Sequence, residues 1–249
     1  DSRIHLHYRD ATIENLDIDG VYCGINAFEP GLWEQFTLED AEYAARETQS
    51  LWLAILASLS CRVVNPPALD TLAGTLLSTP EILYLAHQLG FKIPMVIAME
   101  SGKVTAELLA TGAPARYADL GVVKINETCL SQRELSCLEQ NEDHFLVKEE
   151  VHGKPMYVTL VGDQFFACEM DTDGSVRPIA ACQIPSQIRN RVRNLQKRLN
   201  LNLAEYNFRV IVDGTWVFCG CGRPPTFSVA AYGDILFEQI IEYATGKGR

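Results

Sequence analysis

Apolar residues return along this chain with two different periods. In TLEDAEYAARETQSLWLAILASLSC, from Thr37, apolar and small residues recur every three or four positions, which predicts a long helix. Thr37 is the N-cap candidate, and Asp40 three residues on completes an approximate capping box. CRVVNPP follows as a short strand that stops at Pro66 and Pro67. STPEILYLAHQLGFKIP predicts a second helix, capped by Ser78 or Thr79, with Pro80 in its first turn and its end at Gly90. FKIPMVIAM has the continuous apolar run of a buried strand. A short helix over residues 104–109 and the strands GVVKIN and HFLVKEEV come next.

The second half switches to period two. KPMYVTLVGDQFFACEM alternates on both sides of Gly162 and Asp163, which predicts a hairpin. MDTDGSVRPIA is polar and reads as a loop; DTDG opens like a calcium loop, but the downstream glutamate is missing, so it reads as a turn. PSQIRNRVRNLQKRLNL returns to helical spacing, with Ile188, Val192, Leu195 and Leu199 on one stripe. YNFRVIV and TWVFCGC form a second hairpin around Asp213 and Gly214, and GDILFEQIIEYATG closes the chain as a helix. The opening DSRIHLHYRD reads as a strand entered midway, as if an upstream segment had preceded it. Helices mixed with paired antiparallel hairpins predict an α+β (mixed α/β) protein.

Composition narrows the partners. The chain has 249 residues, 47% hydrophobic and 21% charged, enough for one large or two small domains. A net charge of −11 disfavours nucleic acid and anionic membranes. The basic run over residues 189–198 has helical spacing and reads as a solvated helix face. The longest apolar run, LWLAILASLSC, is too short and too close to charges to span a membrane. With no signal peptide and eight cysteines set in apolar runs, buried free thiols in a reducing cytoplasm are expected.

Four stretches, in this order, resemble the ATP-grasp family. VVNPPALDTLAGTLLSTPEILYLAHQLGFKIP is similar to the family's asparagine-proline turn and lysine-bearing helix. GVVK is similar to the strand with the second nucleotide lysine, and FLVKEEVHGKPMYVTLVGDQFFAC to the hinge strand and its hairpin. LNLNLAEYNFRVIVDGTWVFCGCGRPPTF is similar to the final metal-bearing hairpin. The nearest branch is the peptide-modifying one: the graspetide (microviridin-type) ligases and the ribosomal-protein glutamate ligases. The likeness spans roughly residues 60–245. It implies two α+β subdomains around a cleft: a short or truncated N-terminal segment over 1–75, a small subdomain over 76–142 and a C-terminal subdomain over 143–249.

The resemblance also implies a chemistry. Such a ligase activates a carboxylate as an acyl phosphate, with lysines and Mg²⁺ neutralising ATP. Mg²⁺ is a hard ion that takes oxygen ligands. The family carries Asp on one strand of the last hairpin and Glu-x-Asn on the return strand. The i, i+2 spacing puts both return-strand oxygens on one face. In this chain the Asp position is Asn207, and the Glu-x-Asn positions are Cys219 and Cys221. The helix lysine matches Thr79, and the hairpin arginine matches Tyr157. Lys124 stays, Glu149 fits an acidic residue beside the adenine hinge, and Arg177 stands where the peptide-modifying branch carries a loop arginine. Five changed positions imply that Mg-ATP is not used in the ordinary way.

Several readings stand at this stage. The Cys219/Cys221 pair reads as fillers of a vacated metal pocket, as half of a soft-metal site, or as a redox pair; the filler reading is preferred because no further ligands and no C-x-x-C context are visible. Lys124 is either a phosphate or adenine contact or a snorkelling strand lysine. For the whole chain the leading expectation is a noncatalytic pseudoenzyme that uses no ATP or Mg²⁺. It would bind a peptide or protein partner, such as an active ATP-grasp ligase, and self-associate. The alternatives are an active ATP-dependent ligase with an altered metal site, and thiol or metal chemistry at Cys219 and Cys221.

Overall fold

The structure, a computed structural model, describes residues 5–8, 11–14, 17–68, 71–75, 77–94, 96–99, 120–124, 129–130, 145–149, 151–222 and 224–247. The helix expected over 104–109 lies outside them. Strands β1 (His5–Tyr8) and β2 (Ala11–Glu14) form an antiparallel pair. β3 (Gly20–Tyr22) lies parallel to β4 (Arg62–Val64) across the long helix α1 (Leu38–Ser58). Thr37 caps α1 by accepting from the Asp40 N–H at 3.3 Å. α2 (Thr79–Gln88) begins with a full capping box, in which the Ser78 N–H donates to Glu81 Oε2 at 2.8 Å. Gly90, at φ +82°, ends it.

Two larger sheets follow. One has the order β5-β8-β6-β7, built from β5 (Val96–Met99), β6 (Leu120–Lys124), β7 (Cys129–Leu130) and β8 (Phe145–Glu149), with antiparallel pairing throughout. The other has the order β11-β10-β9-β12-β13. Its strands are β9 (Lys154–Val161), β10 (Gln164–Met170), β11 (Val176–Ile179), β12 (Leu203–Val210) and β13 (Trp216–Gly222). Helix α3 (Ser186–Arg198) connects β11 to β12, and α4 (Thr226–Tyr232) and α5 (Asp234–Thr245) close the chain.

Period two has a direct consequence for the five-stranded sheet. Met156, Val158 and Leu160 of β9 point to one face and pack with Ile188, Val192 and Leu195 of α3 and with Ile82 and Leu83 of α2. Val161, Phe166 and Leu203 point to the other face, onto Leu236, Ile240 and Ala244 of α5. Val64 of β4 belongs to this second cluster, so the N-terminal β3–β4 unit is part of the same core. The contact is close: a Cβ on Gly20 would lie 2.5 Å from the Ala244 carbonyl carbon. Arg62 donates to the Tyr243 carbonyl at 2.6 Å, with its guanidinium 4.8 Å from the centre of that ring.

Three local expectations change. The polar segment expected as a loop holds β11, whose Val176–Ile179 pairs with β10 from Met170 to Ala167. An edge strand needs only a ladder for its backbone groups, and this one has no apolar period to announce it. α4 spans seven residues, too few for a period to emerge. The cysteines are less buried than expected: among the described residues Cys168 is buried and Cys182 exposed, while Cys23, Cys61, Cys219 and Cys221 are half-buried.

Candidate functional site

The face of the five-stranded sheet turned toward α4 carries the chemistry-bearing positions. Tyr157 lies opposite Asn207 across β9 and β12, and Asn207 lies opposite Gly220 of β13. The register slips between Asn207 and Phe208, where Phe218 and Gly220 flank one unpaired residue, Cys219. This β-bulge reverses the alternation along β13. Phe218 belongs to the cluster against α3, and Cys221, paired with Tyr206, packs on that same cluster. Cys219 instead is close enough to Tyr157 to raise that hydroxyl's pKa. The i, i+2 spacing therefore does not put the two thiols on one face, because an extra residue interrupts the strand between Phe218 and Cys221.

Tyr157 is buried and stacked on Phe227, with ring centres 3.8 Å apart and planes inclined by 17°. Its hydroxyl pKa is raised, first by desolvation; Arg209 opposes this, and Glu205, Cys168 and Cys219 add to it. Asn207 is half-buried, and its Oδ1 is enclosed without a hydrogen-bond partner. The Cys219 Sγ donates to the Val217 carbonyl at 3.6 Å.

Beneath this row lies a polar layer that the sequence reading did not single out. Glu205 is buried and accepts from the backbone N–H groups of Ser228 at 2.7 Å and Phe227 at 3.3 Å, so its charge is spent on the first turn of α4. Thr159 and Ser228 share a hydrogen bond of 2.7 Å, with the Cys168 Sγ 3.9 Å from the same hydroxyl. Burial pushes the Cys168 thiol up to about 12. The one available signal in the sequence was Glu205, the single charged residue in LNLAEYNF.

The other expected residues sit elsewhere. Lys124 ends β6 opposite Phe145, and Glu149 ends β8 opposite Leu120. They occupy opposite ends of one antiparallel ladder, their backbones separated by about 14 Å at a rise of about 3.4 Å per residue. Thr79 opens α2 directly after the Ser78 cap. Arg177 lies on the edge strand β11, ion-paired with the buried Glu169 and, at 3.2 Å, with Asp171. Lys154 closes on the same Glu169 from β9.

This donor set does not fit Mg²⁺. The row offers a single amide oxygen, one phenol locked in an aromatic stack and soft sulfur, and no carboxylate, whereas Mg²⁺ takes several hard oxygens, charged ones among them, in near-octahedral array. Among the described residues, no three His, Cys, Asp or Glu side chains gather as a metal site.

The fold is that of the ATP-grasp ligases. The chain resembles the macrocyclase MdnC of Microcystis aeruginosa MRC, solved bound with the precursor peptide MdnA: TM-score 0.77 and 15% identity, over 100% of this chain and 85% of that one. It resembles a RiPP-associated ATP-grasp ligase of Chryseobacterium gregarium, solved with ADP and a leader and core peptide: TM-score 0.73 and 15% identity, over 99% and 82%. The ATP-grasp ligase PsnB, complexed with a minimal precursor, gives TM-score 0.71 and 16% identity over 97% and 86%. No family's sequence profile matches the chain, and no curated protein matches it in sequence. At such identity the likeness carries the backbone and leaves the chemistry to the side chains.

Proposed function

We propose that this chain is a noncatalytic ATP-grasp scaffold, a peptide-binding or regulatory subunit in RiPP-type peptide modification. The observation that carries the reading is the row Tyr157–Asn207–Cys219. Where the resembled ligases bring charge and hard oxygen to ATP, this row brings a stacked phenol, an amide and a thiol. Phosphoryl transfer needs electrostatic stabilisation of developing charge, and neutral or soft groups supply little of it.

Peptide binding is supported by the company the fold keeps: the structures of MdnC, PsnB and the Chryseobacterium ligase hold precursor or leader peptides. A scaffold that keeps the backbone and loses the metal ligands can still present its sheets and grooves to a peptide. It acts in the cytoplasm, self-associates, and works beside an active ligase of the same fold. No helix among the described residues is long and apolar enough to cross a membrane.

The deciding experiment is isothermal titration of the protein with ATP in Mg²⁺ and in Mn²⁺, paired with thermal shift. No heat of binding and no shift in the melting temperature are expected. Micromolar Mg-ATP binding, or ATP turnover with a precursor peptide, would replace this reading with an active ligase carrying an altered metal site. If Cys219→Ser/Cys221→Ser abolished an activity while the fold persisted, thiol chemistry would be the answer instead.

A further inference from the structure

Helix α3 carries five basic residues and no acidic one, in a chain whose 32 acidic residues outnumber its 21 basic ones. The five cations fall on the two flanks of the buried stripe Ile188, Val192 and Leu195. Arg191 and Arg198 turn toward α2 and the residues after it. The Arg191 guanidinium lies 6.0 Å from the centre of the Phe91 ring, and Arg198 donates to Gln88 Oε1 at 3.2 Å. On the opposite flank Arg189, Arg193 and Lys197 follow one another at i, i+4 and i+8. They form a row about 12 Å long, at a rise of about 1.5 Å per residue.

This row has no counterion of its own. Among the described residues the ion pairs form elsewhere: Arg46 with Glu42, Lys154 and Arg177 with Glu169, Arg177 with Asp171, and Lys247 with Asp19. Like charges at i, i+4 work against a helix, and the first turn of α3 holds no acid where the helix dipole favours one. The Arg189 Nε is enclosed without a hydrogen-bond partner. The Arg193 guanidinium rests 4.8 Å from the centre of the Phe165 ring, which fixes the middle of the row. Arg189 and Arg193 are half-buried and Lys197 is exposed. Partial burial weakens solvent screening, so an anion gains more at this row than at fully exposed lysines.

We infer that this flank of α3 is a docking surface for an acidic helix of a partner protein, whose carboxylates at i, i+4 and i+8 meet Arg189, Arg193 and Lys197. Such a helix laid alongside α3 has the same repeat of about 6 Å. The sign of the row selects an acidic occupant, because a neutral or basic segment would leave three cations uncompensated. A nucleic acid or an anionic membrane brings charge far beyond the row, and the chain's net charge of −11 repels the excess. The inference rests on the protein-partner half of the proposed function and places that contact on α3.

The test uses the full chain and a fluorescein-labelled alanine-based helical peptide with glutamates at i, i+4 and i+8, read by fluorescence anisotropy at low ionic strength. Its control has the same composition, with the three glutamates spread around the helix. The aligned peptide should bind, and the spread one should bind about tenfold more weakly, as expected when several partly screened ion pairs are lost together. Arg189→Gln/Lys197→Gln should weaken the aligned peptide by a similar factor; it leaves Arg193 on Phe165, and a circular dichroism melt checks its fold. Arg46→Gln/Lys92→Gln removes the same charge elsewhere and should leave binding unchanged. No binding, equal binding of the two peptides, or equal weakening by the two variants would overturn the inference. Tighter binding of a short DNA duplex or of phosphatidylglycerol vesicles, lost in Arg189→Gln/Lys197→Gln, would overturn the choice of partner. A dimer in sedimentation velocity that this variant dissociates, without peptide binding, would overturn it in favour of a second copy. Mg-ATP titration is read independently: nucleotide binding would sink the noncatalytic reading and leave the α3 surface standing.

Discussion

Asn65 holds Leu203 by both sides of its backbone, across 138 residues of chain. The Asn65 Nδ2 donates to the Leu203 carbonyl at 2.7 Å, and its Oδ1 accepts from the Leu203 N–H at 2.9 Å and the Asn202 N–H at 2.7 Å. The residue sits in the left-handed region at φ 53°, where asparagine is tolerated better than most residues. One side chain thus closes the turn after β4 and fastens the N-terminal unit to the start of β12.

Asn65→Ala should be among the more damaging single substitutions. It leaves the buried backbone groups of Leu203 and the half-buried N–H of Asn202 without this partner and puts alanine at positive φ. A loss of roughly 3 kcal/mol is expected, a fall of about 6–12 °C in melting temperature for a chain of this size. Asn65→Gly keeps the backbone angle comfortable and should recover only a minor part. Full recovery by glycine would show that strain, and not the clamp, is what Asn65 resolves.

The Arg177–Glu169–Lys154 cluster should govern how firmly β11 stays on the sheet. Glu169 is buried between two exposed cations. Glu169→Ala should speed amide exchange in Val176–Ile179 well above its rate in β9, because β11 is an edge with a ladder on one side only, and beyond it the Tyr232 hydroxyl that donates to the Ile179 carbonyl at 3.1 Å. Unchanged protection in β11 would mean that the ladder alone suffices. Arg177→Ala is expected to act in the same direction and more weakly, since Lys154 remains.

Cys168 supplies a pH dependence. Burial raises its pKa to about 12 in the folded chain, while an unfolded thiol ionises near 8.5. Above that value the unfolded state gives up its proton and the folded state keeps it, so stability falls as pH rises from about 9 toward 12. The urea midpoint of the wild type should therefore drop more between pH 8 and pH 10.5 than that of Cys168→Ala. Iodoacetamide at pH 8 should label exposed Cys182 and spare Cys168, a pattern read by peptide mass mapping.

Asn207→Asp tests the expected metal position directly. The Asn207 Oδ1 is already enclosed without a partner, and a carboxylate there adds a charge to a half-buried position. Destabilisation of about 1–3 kcal/mol is expected, and 10 mM Mg²⁺ should not reverse it, because the neighbouring Cys219 thiol is soft, the Tyr157 phenol is held in its stack and Glu205 is engaged by the first turn of α4. Recovery of the melting temperature in Mg²⁺ but not in Na⁺ would show a latent magnesium site.

Much of this architecture was legible in the chain. Thr37 and Ser78 announced their helices because a cap is a local hydrogen bond between neighbours. The stripe Ile188, Val192, Leu195 and Leu199 named the buried face of α3 because helical geometry repeats over short distances. The two hairpins turn at Gly162 and Gly214, both at positive φ, where the sequence placed glycine. The residue types at Tyr157, Asn207, Cys219 and Cys221 were also readable, since side-chain chemistry needs no coordinates.

What the chain alone determined, then, is which elements form and which chemical groups each one carries. What only the tertiary structure decided is which groups meet. The bulge at Cys219 turns the two thiols to different faces, Glu205 spends its charge on α4, and Asn65 finds Leu203 from the far side of the sequence. Periodicity and capping depend on neighbours a few residues apart. Facing and long-range hydrogen bonding depend on strand register, where one inserted residue reverses every side chain beyond it.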